Sequence, residues 1–185
     1  MATAAATAGT IDFGTLGLAE GQSMQGTTID GVTFTGQSGT LIYTNSYGAG
    51  IYDGVAATND IELVFGAGVA SLKLTAGDGA GDEDAFGVNL YEFGTDNWLG
   101  YFTTPVFGGP AEPEWYTLTL SGLGMIGRAV FDPGNSGSLP GSADEIGGVT
   151  LTMVEFDDAA IPEPASAALL GLALASLLAT RRRRP

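Results

Sequence analysis

Along most of this chain apolar and polar residues alternate with a period of two. Ile61, Leu63 and Phe65 share one side of an extended stretch; Leu72 and Leu74 share one side of another, with Lys73 opposite. Tyr116, Leu118 and Leu120 alternate with Trp115, Thr117 and Thr119, so one set faces inward and the other outward. Period two is the mark of strands with a single buried face. The pattern predicts strands over 10–14, 28–35, 40–44, 60–65, 69–75, 85–93, 97–103, 114–120, 125–131 and 148–156. Asp30-Gly31 interrupts the second as a turn or bulge, and Gly94-Thr95-Asp96 joins 85–93 to 97–103 as a hairpin. The Gly- and Tyr-rich stretch 45–58 reads as a loop. About ten short strands at this spacing predict an all-β fold, a jelly-roll-type β-sandwich.

The alternation stops near the C-terminus. Ile161-Pro162-Glu163-Pro164 is followed by sixteen uncharged residues, 165–180, of which six are Leu and six Ala, and then by Arg181, Arg182, Arg183 and Arg184. As a helix this run spans roughly 24 Å at about 1.5 Å per residue. The hydrocarbon core is about 30 Å thick, and snorkelling arginines close a gap of that size at small cost. A buried core helix would show a polar face, and this run has none. It therefore reads as a single C-terminal transmembrane helix. The arginines stay on the cytoplasmic side, so the strands ahead of it face away from the cytoplasm.

Pro-Glu-Pro, an apolar helix and a terminal basic cluster, in that order, resemble the PEP-CTERM protein-sorting signal. The matching residues are Pro162, Glu163, Pro164, the run 165–180 and Arg181 to Arg184. The resemblance implies a protein of a Gram-negative, exopolysaccharide-producing bacterium. Its tail would be recognised and cut near Pro-Glu-Pro by an exosortase, a membrane-embedded transpeptidase-like enzyme. The protein would be the substrate of that reaction. It implies an inner-membrane-anchored precursor facing the periplasm of the cell envelope, later displayed on the surface or secreted.

Composition narrows the chemistry. With the tail set aside about 160 residues remain, enough for one domain with a real core. Thirty glycines and only 15% charged residues suit strands and tight turns. Twenty-one acids precede the apolar run against Lys73 and Arg128, a net charge of about −19. Such a surface repels nucleic acid, so no nucleic-acid partner is expected. With no Cys and no His, disulfides, thiol nucleophiles, imidazole triads and Cys or His metal sites are excluded. Ala6-Thr7-Ala8 has the small-x-small form of a leader cleavage site, so residues 1–9 read as a signal-peptide remnant or disordered start. The expected division is then 1–9, a sandwich ectodomain over 10–157, a linker over 158–164 with Pro-Glu-Pro, the helix over 165–180 and a basic cytoplasmic tail over 181–185.

Within the ectodomain, Ile29 to Phe34, Asn89-Leu90-Tyr91-Glu92, Asn97-Trp98-Leu99-Gly100 and the run Met125 to Phe131 resemble β-sandwich ectodomains that precede this sorting tail. These look like carbohydrate-binding jelly rolls of the galactose-binding type. Asp78, Asp82, Glu83 and Asp84 crowd a glycine-rich stretch and are the candidate ligands of a structural Ca²⁺, which takes six to eight oxygens. Asp12 or Glu20 with Asp144 or Glu145 is a second, weaker pairing. The structural alternative for both is a solvated acidic surface. Trp98, Tyr101, Trp115, Tyr116, Tyr43, Tyr47 and Tyr52 are candidates for stacking on sugar rings, with Trp98 and the 47–52 stretch (Tyr47, Tyr52) preferred because Gly and polar neighbours surround them. The alternative for each is core filling. A glycosidase would need paired carboxylates, and Glu112 with Glu114 or Asp82 with Glu83 are the pairs on offer.

The expected function is a non-catalytic surface or matrix protein with a structural or adhesive role among exopolysaccharides. A Ca²⁺-stabilised carbohydrate-binding module is the alternative, and a carboxylate glycosidase the third.

Overall fold

Each predicted stretch of alternation in the ectodomain contains strand in the computed structural model, though the first ends at Asp12 rather than at residue 14. The structure describes residues 8–46, 48–53, 59–79, 83–108, 114–134 and 149–158. All of them fall in one unit, Thr7–Ala159. The strands are β1 (Ala8–Asp12), β2 (Thr27–Ile29), β3 (Val32–Gly36), β4 (Leu41–Thr44), β5 (Gly50–Asp53), β6 (Ile61–Gly77), β7 (Phe86–Glu92), β8 (Trp98–Thr103), β9 (Trp115–Pro133) and β10 (Thr150–Asp158). A 3₁₀ turn, Phe13–Thr15, follows β1 and is capped by Asp12, whose carboxylate accepts from the Gly14 amide.

Two long strands carry the architecture. The first half of β6 pairs with β3, its second half with β10, and β9 runs antiparallel beside both. One half of the sandwich is β4-β5-β10-β6-β9 with β1 added on β10; the other is β2-β3-β6-β9-β7-β8. The buried side chains of β6 are Ile61, Leu63 and Phe65 before its bend, Val69 within it, and Leu72, Leu74 and Ala76 after it. That change from odd to even numbers coincides with register shifts between Val64 and Val69 and between Val69 and Ser71. An inserted residue reverses the facing of everything beyond it, so the strand keeps an apolar side toward the core as it crosses from one half to the other.

The structure corrects several expected boundaries. Gly66-Ala67-Gly68 looked like a break between two strands, and so did the stretch after Leu120; each is a bend inside one strand. Small residues follow such a bend without steric cost, and no proline interrupts either one. The stretch 45–58 contains β5, whose Asp53 is buried and accepts from the Ser38 amide at 2.6 Å and the Ser38 hydroxyl at 2.5 Å. Ala8 and Gly9, read as leader, are paired with Asp157 and Phe156 of β10. Asp30-Gly31 is the turn of the β2–β3 hairpin, with φ of 47° at Asp30. Of the two possible facings in β9, Leu120 is buried and Tyr116 and Leu118 pack on the core, while Thr117 and Thr119 are exposed.

The core is one cluster drawn from both halves. A run of rings threads it. Phe131 lies 5.3 Å from Phe86, Phe86 meets Phe107 edge-on at 6.0 Å, and Phe107 stacks on Tyr116 at 5.6 Å. Among the described residues no helix is long and apolar enough to cross a membrane, and the expected span 165–180 lies outside them.

Candidate functional site

The outer face of β8, β7, β9, β6 and β3 gathers side chains with chemistry to offer. Strand register arranges them in rows. One row runs Trp98, Tyr91, Arg128, Val64, Thr33; the next runs Tyr101, Asn89, Val130, Glu62, Thr35; a third begins Thr103, Gly87, Asp132. Neighbouring strands lie about 4.8 Å apart, so Trp98 and Val64 of the first row are separated by about 14 Å across the face.

Trp98 and Tyr101 are an odd number of positions apart, and plain alternation would put them on opposite sides. A bulge in β8 resolves this: Tyr91 pairs with Trp98 and Leu90 with Gly100, so Leu99 is the extra residue. Leu99 and Phe102 turn to the core, and both aromatic rings share the outer face. Gly100 sits in the bulge at φ 145°, a conformation L side chains rarely adopt.

Both rings are held from behind. Trp98 is 63% exposed, and its indole Nε1–H donates to Asn89 Oδ1 at 3.2 Å. Tyr101 is 37% exposed, and its hydroxyl donates to Asp132 Oδ2 at 2.9 Å. The Tyr101 ring reaches Asp132 by lying over Gly87, where an added Cβ would stand 2.6 Å from Tyr101 Cζ. Gly87→Ala is therefore expected to push the ring off Asp132, visible as a change in the tyrosine near-ultraviolet circular dichroism. Tyr91 is covered by the Arg128 guanidinium, 3.6 Å above its ring. Arg128 also makes a two-pronged contact with Asp96, Nε to Oδ1 at 2.9 Å and Nη2 to Oδ2 at 3.0 Å, and reaches Glu62 at 3.3 Å. Burial works against its charge, but the Asp96 hydrogen bonds and both carboxylates outweigh that and hold its pKa above the usual range. Asp96, at φ 58°, belongs to the β7–β8 turn, which the Glu92 carboxylate closes by accepting from Thr95 and Asn97. Those two hydrogen bonds lower the Glu92 pKa.

At the β3 side of this face is a cleft of about 220 Å³ lined by Thr35, Gly36, Gln37, Asp60, Glu62 and Val130. Burial, then the charges of Asp132 and Asp53, raise the pKa of Asp60 to about 6. The folded state thus binds a proton more tightly than the unfolded chain, whose carboxyl titrates near 3.8. The associated stability is fully present below that value and is lost as pH rises to about 6. After discounting for a half-exposed group it amounts to about 1–2 kcal/mol. Asp60→Asn should raise the melting temperature by about 2–6 °C at neutral pH and leave it unchanged near pH 3.5, checked by calorimetry at both.

The other expected site residues are scattered. Tyr52 lies on β5, toward the opposite end of the strand order from β8, and Tyr47 lies outside the described residues. Tyr43 is buried and its hydroxyl donates to Asn45. Trp115 packs on Gly48 and Gly77. Asp84 is buried and its backbone bridges Phe107 in both directions, Glu83 is exposed, Asp78 is half-buried, and Asp82 lies outside the described residues. Among the described residues no group of three or more His, Cys, Asp or Glu is placed to hold a metal ion. Asp12 caps the 3₁₀ turn, Glu20 accepts from Thr44 and Asn45, and Asp144 and Glu145 are outside the described residues. Of the carboxylate pairs, Glu114 is exposed while Glu112 is not among the described residues.

Pro162, Glu163, Pro164 and Arg181 to Arg184 also lie outside them, and here comparison with known families decides. A family model described as the PEP-CTERM protein-sorting motif matches residues 160–184. The chain carries a PEP-CTERM sorting motif. The PEP-CTERM match covers the tail, and it implies sorting out of the cytoplasm toward the envelope. No curated protein matches the chain. Solved structures similar to it include a family 29 carbohydrate-binding module from Piromyces equi, 12% identical, covering 83% of this chain and 91% of that one at a TM-score of 0.46. A low-affinity xylan-binding module from Roseburia intestinalis is 16% identical, with 83% and 97% coverage and a TM-score of 0.36. The K2 cleaved adhesin domain of Lys-gingipain is 14% identical, with 81% and 99% coverage and a TM-score of 0.39. Likenesses this distant carry no argument about ligand or residue roles.

Proposed function

We propose that this chain is an exported carbohydrate-binding protein that holds polysaccharide on the outer face of β8, β7, β9 and β6. One observation carries this: Trp98 stands largely exposed on a strand face, fixed by Asn89, with Tyr101 fixed by Asp132 beside it. Exposing a large ring costs free energy unless something covers it, and two pinned rings on one face present a stacking surface that needs no ordering on binding. Sugar rings offer C–H faces to such a surface and hydroxyls to the neighbouring carboxylates. No catalytic step is required of the protein.

The PEP-CTERM motif supplies the address. In this reading an exosortase cuts near Pro162-Glu163-Pro164 while the apolar helix holds the precursor in the inner membrane, with the sandwich in the periplasm. The product then works in or on an exopolysaccharide matrix, where glycan binding makes it adhesive. Affinity electrophoresis of the full chain through gels containing polysaccharide tests the binding, with retardation by at least one polymer expected. Free migration through a broad panel would overturn the reading. Mass spectrometry of the native C-terminus tests the sorting: the mature chain should end near residue 164, and an intact Pro185 contradicts it.

A further inference from the structure

The charges of this face set a limit on what can lie there. We infer that it excludes acidic polysaccharides and takes only chains whose sugars carry no acid group, so that uronate and sulfate polymers are turned away. This rests on the proposed glycan-binding role of the same face.

Ahead of the sorting motif the sequence has two cationic side chains, Lys73 and Arg128. Lys73 belongs to the second half of β6, where it pairs across the strand with Glu155 at 3.6 Å, away from the rows that hold Trp98 and Tyr101. Arg128 is on the face, but three of its five N–H groups and the plane of its guanidinium are already taken. Asp96 takes two of its N–H groups, Glu62 a third, and its plane lies against Tyr91. A ligand carboxylate or sulfate would have to displace a two-pronged carboxylate that is already in place.

The remaining charges on the face are negative. Asp132 holds Tyr101, Glu62 and Asp60 line the adjoining cleft, and Asp96 rims the side nearest Trp98. Asp60 already gives up part of its ionisation to burial and to the nearby Asp132 and Asp53. A further anion would add to that repulsion, and like charges brought together at an interface are strongly disfavoured. Sugar hydroxyls meet the opposite situation. Ionised carboxylates are acceptors only, and hydroxyls are the donors that satisfy them without adding charge.

The experiment measures binding of the full chain to immobilised neutral glucan, mannan and xylan, and to sulfated derivatives of the same polymers, at low salt and at about 0.5 M NaCl. Whichever neutral polymer binds should lose binding in Trp98→Ala and change less than about twofold with salt. Its sulfated derivative should bind at least about tenfold more weakly at low salt. The double variant Glu62→Gln, Asp96→Asn strips the carboxylates from Arg128 and should strengthen binding of the sulfated polymer. Trp98-dependent binding of a sulfated polymer as tight as that of its neutral parent overturns the inference and leaves the glycan-binding reading standing. So does a double variant with no gain. If no polymer of either class binds, the glycan-binding reading itself fails.

Discussion

Trp98→Ala is expected to weaken polysaccharide binding by about thirtyfold or more, which corresponds to about 2 kcal/mol for truncating a central aromatic anchor. The indole is 63% exposed in the free protein, so its removal opens no cavity and leaves only Asn89, itself at the surface, without its hydrogen-bond donor. Substitutions of that kind change stability by about 0.5 kcal/mol at most, or about 2 °C in melting temperature. The two readouts therefore separate: titration calorimetry should show the loss, and thermal unfolding should barely move. Equal affinity for the variant would remove Trp98 from the binding face. A collapse in melting temperature would mean that the ring supports the fold.

Phe86→Ala is expected to do the reverse, costing about 3–5 kcal/mol of stability. Phe86 is fully buried and is the second of four rings in the run Phe131, Phe86, Phe107, Tyr116. Phe131 lies on the part of β9 beside β7, and Tyr116 on the part beside the second half of β6. Removing Phe86 leaves a cavity where the two halves of the sandwich are joined, and its neighbours lack the slack to fill it. Chemical denaturation should show the loss as a lower midpoint with an unchanged slope. Although β7 also carries Asn89 and Tyr91, Phe86 is buried on the core side, so glycan affinity measured well below the melting temperature should persist. A loss below about 1 kcal/mol would contradict the role of this ring in joining the halves.

Much of the fold was legible from period-two alternation, because most strands bury a single face and the buried side chains of β6 and β7 are the apolar ones. What alternation could not show is where a strand bends. Gly66-Ala67-Gly68 looks the same in sequence whether the chain turns back or passes through a bulge, and only the pairing with β9 along both halves distinguishes the two. β5 was hidden for another reason: its alternating residue Asp53 is a buried carboxylate, satisfied by Ser38 fifteen positions earlier.

The candidate site was half visible. Trp98 stood out through its polar neighbours, and it is exposed. Tyr101 was named among seven aromatics, but the Leu99 bulge that brings it onto the same face as Trp98 depends on pairing with β7. The pairing of Tyr91 with Arg128 gave no signal, since a ring and a cation 37 positions apart meet only when β7 and β9 are side by side. Tyr52, by contrast, shares its composition with Trp98's neighbourhood but sits in a different part of the sheet. The tail was the most legible segment, because charge, apolar length and order along the chain suffice to define a sorting motif without any tertiary contact.

The chain has two tryptophans, so an amide-type proton spectrum of the indole-labelled protein contains two indole N–H signals. Titrating in a polysaccharide fragment that binds should shift the Trp98 signal saturably while the Trp115 signal, from a ring packed on Gly48 and Gly77, stays in place. A fragment that binds yet leaves Trp98 unmoved, or moves Trp115 instead, would contradict the assignment of glycan binding to the β8–β7–β9–β6 face.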